Sequence, residues 1–201
     1  MSTPLAHLAA GTAIYFSYSR LRSPYTAWAL PCFGLLAMLP DFDYLPIWLF
    51  GIRQEPRVTH GVLFCILAGM VAWRITRHWQ AKKIGARPIG LIGFILAPLS
   101  HLVLDFSVGA HSLPLFWPFP NGELMSPISL LPGVIHGCSF MNYYLWRNSI
   151  LESLVLIPVL LFFVVRARHD DQEHGWDGHG GAPIVMPVRR MVAVIGALVR
   201  L

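Results

Sequence analysis

Charge is what this chain most conspicuously has little of. Asp, Glu, Lys and Arg make up 12% of its 201 residues, against roughly 25% in soluble globular domains. So little charge cannot cover the surface of an ordinary soluble fold. The hydrophobic share of 55% and the mean hydropathy of +0.57 point to a bilayer. Cysteine is scarce as well: Cys32, Cys65 and Cys138 lie too far apart to form a paired-thiolate metal site. Cys32 and Cys65 fall in apolar stretches and read as buried thiols. No basic region precedes the first apolar run, because Arg20 and Arg22 follow it; the run reads as part of the mature protein, not a cleavable leader. A net charge of +5 comes without a dense basic stripe to track phosphates, so no nucleic acid partner is expected. The chain shows neither a fixed-period repeat nor the alternation of a β-sheet protein.

What is present is a series of apolar runs: Pro4–Tyr18, Tyr25–Leu39, Gly61–Trp73, Pro88–Phe106 and Asn148–Val165. They predict an all-α, multi-helix integral membrane bundle of about five apolar helices. A spanning helix needs about 20 apolar residues, and several runs are shorter, with Arg side chains at their ends able to snorkel. Residues 1–168 read as a helical membrane domain carrying the site described below. Residues 169–201 read as a hydrophilic linker, His169 to Gly181, followed by a C-terminal amphipathic tail that can lie on a membrane surface.

The stretch Ala97-Pro-Leu-Ser-His-Leu-Val-Leu-Asp-Phe106 closes one of these runs, yet holds His101 and Asp105. Four residues apart on a helix, they share a face. A self-satisfied His–Asp pair would explain them alone, but more such groups fall at the same level. If successive helices reverse direction, His7 starts the first, Asp41 and Asp43 end the second, His60 begins the third and Glu152 lies in the first turn of the fifth. All join His101 and Asp105 at one end of the bundle. The other end collects Arg20, Arg22, Arg74, Arg77, Lys82, Lys83, Arg87, Arg166 and Arg168, against Arg53, Arg57 and Arg147 at the first. The positive-inside rule makes the basic end cytoplasmic and the His/carboxylate end extracytoplasmic. Mixed imidazole and carboxylate ligands suit a divalent metal ion, Zn first and Mn or Fe next, and one or two ions fit when carboxylates bridge. A proton or ion pathway needs the same residue types.

The motifs also resemble a known family. Ala6-His7 in an apolar N-terminal segment is followed by Leu39-Pro-Asp-Phe-Asp-Tyr-Leu-Pro46, Thr59-His60, His101-Leu-Val-Leu-Asp105, Gly109 and Leu115-Phe-Trp-Pro-Phe119. This order resembles the inner-membrane LexA-binding or YdjM-like proteins, a family assigned to metal-dependent hydrolysis, over roughly Met1 to Arg168. The resemblance implies a multi-helix bacterial inner-membrane protein with a metal site of His7, Asp41, Asp43, His60, His101 and Asp105, and an acid at Glu152. The sequence departs from it at the usual Thr-x-Gly after the Asp, loosened here to Ser107-Val-Gly109 with an extra residue or two before Leu115, and at two further positions. Where the family carries a His-Arg pair leading into Thr-His-Ser, this chain has Glu55 in place of the first His and Gly61 in place of the Ser.

Together these readings give a metal-dependent hydrolase of the bacterial inner membrane. A cation in such a site lowers the pKa of a bound water near neutral pH, which then attacks a phosphoester or acyl bond, here expected in a membrane lipid or lipid-like substrate. His60, His101, Asp41 and Asp105 are the leading ligands. Asp43 is expected to bridge or act as base, and His7 and Glu152 to complete the site. Arg57 or Arg147 is positioned to hold an anionic group. The alternatives are a non-enzymatic membrane scaffold or binding protein with a structural or vestigial metal, and an ion or proton pathway. A soluble protein partner is not identifiable from the sequence.

Overall fold

The structure, a computed structural model, describes residues 2–19, 26–52, 57–80, 89–108, 112–119, 123–127 and 143–173. Among these, the named elements are all helices or 3-10 turns, with no strand. Its elements are α1 (Pro4–Tyr18), α2 (Thr26–Met38), a 3-10 turn (Leu39–Asp43), α3 (Tyr44–Phe50), a second 3-10 turn (Val58–His60), α4 (Val62–Gln80), α5 (Leu91–Val108) and α6 (Tyr143–Glu173). Each begins where local chemistry permits. Pro4 occupies the first turn of α1, where a missing N–H costs nothing. Pro31, Pro98 and Pro158 lie inside α2, α5 and α6, a placement apolar bundles tolerate because neighbouring helices stabilise the interrupted ladder.

α1 is the hub, packed against α2, α5 and α6, while α5 also receives α2 and α4. Tyr15 and Phe16 of α1, Phe33 and Leu36 of α2, Phe94 and Ala97 of α5 and Ala167 of α6 form the buried core. Two glycines set the closest crossings. A Cβ on Gly11 would strike the Phe33 carbonyl oxygen, and one on Gly69 would lie 2.6 Å from the Phe94 carbonyl oxygen and 2.7 Å from the Ile95 Cα. Small residues of this kind let backbones approach in apolar bundles.

The outer faces of α5 and α6 are apolar. Ile150, Leu154, Val155, Leu161 and Val165 of α6 are exposed, as are Ile92 and Val103 of α5; a helix apolar all round with so little of it packed is suited to lipid. Only two described helices are long and apolar enough to cross a membrane, Leu91–Val108 and Trp146–His169. This corrects the expectation of about five apolar helices. α1 and α2 have 15 and 13 residues, short of the length a span needs, and α4 carries Arg74 and Arg77 within its second half.

Three boundaries also differ from the sequence reading. α6 starts at Tyr143 and not at Asn148, so Glu152 stands well inside the helix and not in its first turn. The same helix continues through His169 to Glu173, into the segment read as hydrophilic linker. The chain after Asp43 turns into α3 before reaching the polar loop. Within the Pro- and aromatic-rich connection, Leu113 and Leu124 form an isolated antiparallel bridge. Cys138, His111, His136 and the tail from Val185 lie outside the described residues.

Candidate metal centre

Four elements meet at one end of the bundle. His7 arrives from the second turn of α1, Asp41 and Asp43 from the 3-10 turn after α2, and His60 from the 3-10 turn before α4. His101 and Asp105 arrive from the last turns of α5. His7, His60 and His101 are fully buried and Asp105 nearly so. The loop carrying Leu115 braces the entry to α4, since the Val62 N–H donates to the Leu115 carbonyl at 2.9 Å. Gly61, which stands where the family has Ser, packs beneath it: a Cβ there would meet the Val58 carbonyl oxygen at 3.2 Å and the Pro114 carbonyl oxygen at 3.5 Å.

Asp41, His60, His101 and Asp105 each direct one donor atom to a common point, all within 4.8 Å of one another. His101 Nε2 lies 3.5 Å from Asp41 Oδ1 and 3.4 Å from Asp105 Oδ2. His60 Nε2 lies 3.6 Å from Asp41 Oδ1 and 3.7 Å from Asp105 Oδ2. These separations are too long for hydrogen bonds. They match the edges of a coordination shell: bonds of about 2.0–2.2 Å at tetrahedral angles put neighbouring ligand atoms roughly 3.3–3.6 Å apart. All four atoms are buried without a hydrogen-bond partner, a costly condition for a polar group unless a cation satisfies it. The His101 tautomer sharpens the point. Its Nδ1 lies 2.9 Å from the Ala37 carbonyl oxygen, which can only accept, so in the neutral ring Nδ1 carries the proton and Nε2 presents a lone pair to two carboxylates. The cluster can hold a metal ion, and its donor set of two imidazoles and two carboxylates fits one.

The remaining predicted residues surround this group. Asp43 sits behind His60, with Oδ2 3.4 Å from His60 Nδ1, accepting from the Thr59 hydroxyl at 3.1 Å and lying 4.0 Å from Arg57 Nε. The Arg57 guanidinium lies over the Tyr44 ring at 4.1 Å. His60 consequently has a carboxylate at each nitrogen, and its pKa is drawn up to about 9. Burial is the largest influence and works against the charged ring, but Asp41, Asp43 and Asp105 together outweigh it. His7 stacks on His101, with ring centroids 3.7 Å apart and planes 15° from parallel. Glu152 lies to one side: its Oε2 accepts from the Thr3 N–H at 2.8 Å and the Thr3 hydroxyl at 2.5 Å. Arg147 donates to the neighbouring Asn148 side chain. Glu55 falls outside the described residues.

Sequence reasoning missed the N-terminal residues altogether. The Ser2 N–H donates to Asp105 Oδ1 at 2.7 Å, and the Ser2 hydroxyl lies 3.0 Å from His7 Nε2. Thr3 occupies the N-cap of α1, yet its hydroxyl makes no cap bond and goes to Glu152 instead. A Ser-Thr-Pro start carries a helix-cap signal, which accounts for α1 but not for these contacts.

The family model described as YdjM inner membrane protein matches residues 1–170. No curated protein and no solved structure matches the chain.

Proposed function

The chain belongs to the YdjM inner membrane protein family, and from that premise we propose that it is a metal-dependent hydrolase embedded in the bacterial inner membrane, acting on a phosphoester or acyl bond of a lipid. The observation that carries this reading is the set of four buried, unpartnered donor atoms on Asp41, His60, His101 and Asp105. A divalent cation held there supplies a water acidified for attack near neutral pH. The rest of the work falls to this chain's own side chains. His101 is locked by Ala37, and His60 is locked by Asp43, which itself is held by Thr59. Outer carboxylates of this kind fix the ligating tautomer and raise ligand basicity. Asp43 Oδ1, buried and without a hydrogen-bond partner, is the free carboxylate oxygen available to take a proton. Glu152 anchors the start of α1 through Thr3 and thereby places His7.

In this reading α5 and α6 both cross the membrane, with the His/carboxylate end extracytoplasmic. The charge distribution supports that orientation: Arg166 and Arg168 lie 14 and 16 residues beyond Glu152 in α6, or about 21–24 Å along a helix. The apolar exterior of α5 and α6 gives a lipid substrate direct lateral access to the bundle.

The test is turnover by protein reconstituted in lipid, on phosphoester and acyl lipid substrates, before and after chelation. His101→Ala is expected to drop hydrolysis to background while the protein still inserts and elutes as the wild type does. Full turnover in that variant overturns the assignment. Glu55, at a position where the family carries His, favours one rival: a scaffold whose metal is structural. That rival predicts a metal-dependent melting temperature with no hydrolysis of any lipid.

A further inference from the structure

Asp41 and Asp105 each have two oxygens, and the two members of each pair face different histidines. Asp41 Oδ1 faces His60 Nε2 and His101 Nε2, whereas Asp41 Oδ2 faces His7 Nε2 at 3.8 Å. Asp105 repeats the division: Oδ2 faces His60 and His101, and Oδ1 faces His7 Nε2 at 3.5 Å. The stacked rings of His7 and His101 therefore point side by side at the same two carboxylates, each at a different oxygen. Rings stacked with centroids 3.7 Å apart can each ligate one of two neighbouring cations, which in two-metal sites lie roughly 3.5–4 Å apart.

We infer that the site is built for two divalent cations, with Asp41 and Asp105 bridging them and His7 holding the second. This rests on the metal reading given above and adds the second position to it. The His7 ring is fully buried, with Nδ1 lacking a partner, and its Nε2 lies too far from either carboxylate to hydrogen-bond it. In the second position, Ser2 stands in for the cation: its N–H donates to Asp105 Oδ1 and its hydroxyl meets His7 Nε2. The N–H supplies a positive dipole to a bridging carboxylate oxygen, and the hydroxyl occupies the hydrogen-bonding position of a ring nitrogen; a cation would otherwise satisfy both atoms. The first position has no such substitute, and its four atoms are bare. The second cation consequently binds more weakly than the first and displaces the Ser2 contacts when it enters.

The experiment is titration of the chelator-stripped, full-length protein with Mn²⁺, measuring bound metal by elemental analysis after dialysis and the state of the ions by electron paramagnetic resonance. The wild type is expected to take two ions per chain in unequal steps, the second step converting the isolated-ion signal to that of a spin-coupled pair. His7→Ala and His7→Gln are expected to take one ion and keep the isolated-ion signal throughout. A wild type that saturates at one ion overturns the second position while leaving the metal reading intact; a wild type that binds none removes both. Two coupled ions in a folded His7 variant also overturn it. Should both variants aggregate, the wild-type count and coupling decide the matter alone.

Discussion

His60 shows how much of the site's behaviour is set by a single ring. With carboxylates at both nitrogens its pKa rises to about 9, above the unfolded value of about 6.5. A group raised in the folded state contributes stability that is fully present below its unfolded pKa and lost as pH climbs through the folded one. The metal-free protein is therefore expected to melt at progressively lower temperature between pH 6.5 and about 9, as a thermal scan in chelator will show. Metal and proton compete for the ring, so metal affinity runs the other way and rises across the same window. Behind the ring, Asp43→Asn is expected to weaken metal binding by about 10–100-fold and to flatten the pH dependence of the stripped protein's melting temperature, because it removes one of the carboxylates that raise the His60 pKa; unchanged affinity contradicts the orienting role. Glu152→Ala acts differently. It strands the Thr3 N–H and hydroxyl, at a cost of about 1–3 kcal/mol, and is expected to lower stability more than it lowers first-site affinity. The ionisable members of the cluster were legible in the sequence because His and Asp stand out in apolar runs. Ser2, Thr3 and the Ala37 carbonyl were not, since backbone groups and small hydroxyls have no signature that separates a site contact from a cap or a turn.

Helices place these residues, and a close crossing between two of them can be tested. α4 and α5 touch at Gly69 against Phe94 and Ile95, and these helices adjoin His60 and carry His101. Gly69→Leu forces the backbones apart, because the atoms in the way are main chain and cannot rotate aside. Overpacking of this kind costs about 1–3 kcal/mol, and here it also separates His60 from His101. Reduced metal affinity together with a lowered melting temperature is expected, read by titration and thermal scan on the same sample. The order and polarity of the helices followed from the apolar runs, whose ends coincide with the site residues. Their lengths did not. Tyr143 to Arg147 are ordinary helix formers that a hydropathy boundary excludes, so α6 begins a full turn earlier than expected and Glu152 sits in its body. α3 was hidden by Pro46 and by the aspartates before it, which read as a helix end.

Among the described residues, a buried His/carboxylate cluster lies beside helices with apolar outer faces, and Arg74, Arg77, Arg166 and Arg168 stand in the later turns of α4 and α6. Two described helices have the length and composition of spans; of the others, α2 packs against α1 and α5, and α4 packs against α5. Reporter fusions after Asn148 and after Arg168 are expected to lie on opposite sides of the membrane, the first extracytoplasmic; the same side for both contradicts the proposed topology. The central claim, that the buried cluster exists to hold metal, is tested most directly by elemental analysis of protein purified from membranes, wild type beside a His101→Ala/Asp105→Ala double variant. The account predicts at least one equivalent of a transition metal in the wild type and none in the double variant. Wild type that is free of metal, and stays so after incubation with Zn²⁺, Mn²⁺ or Fe²⁺, contradicts it.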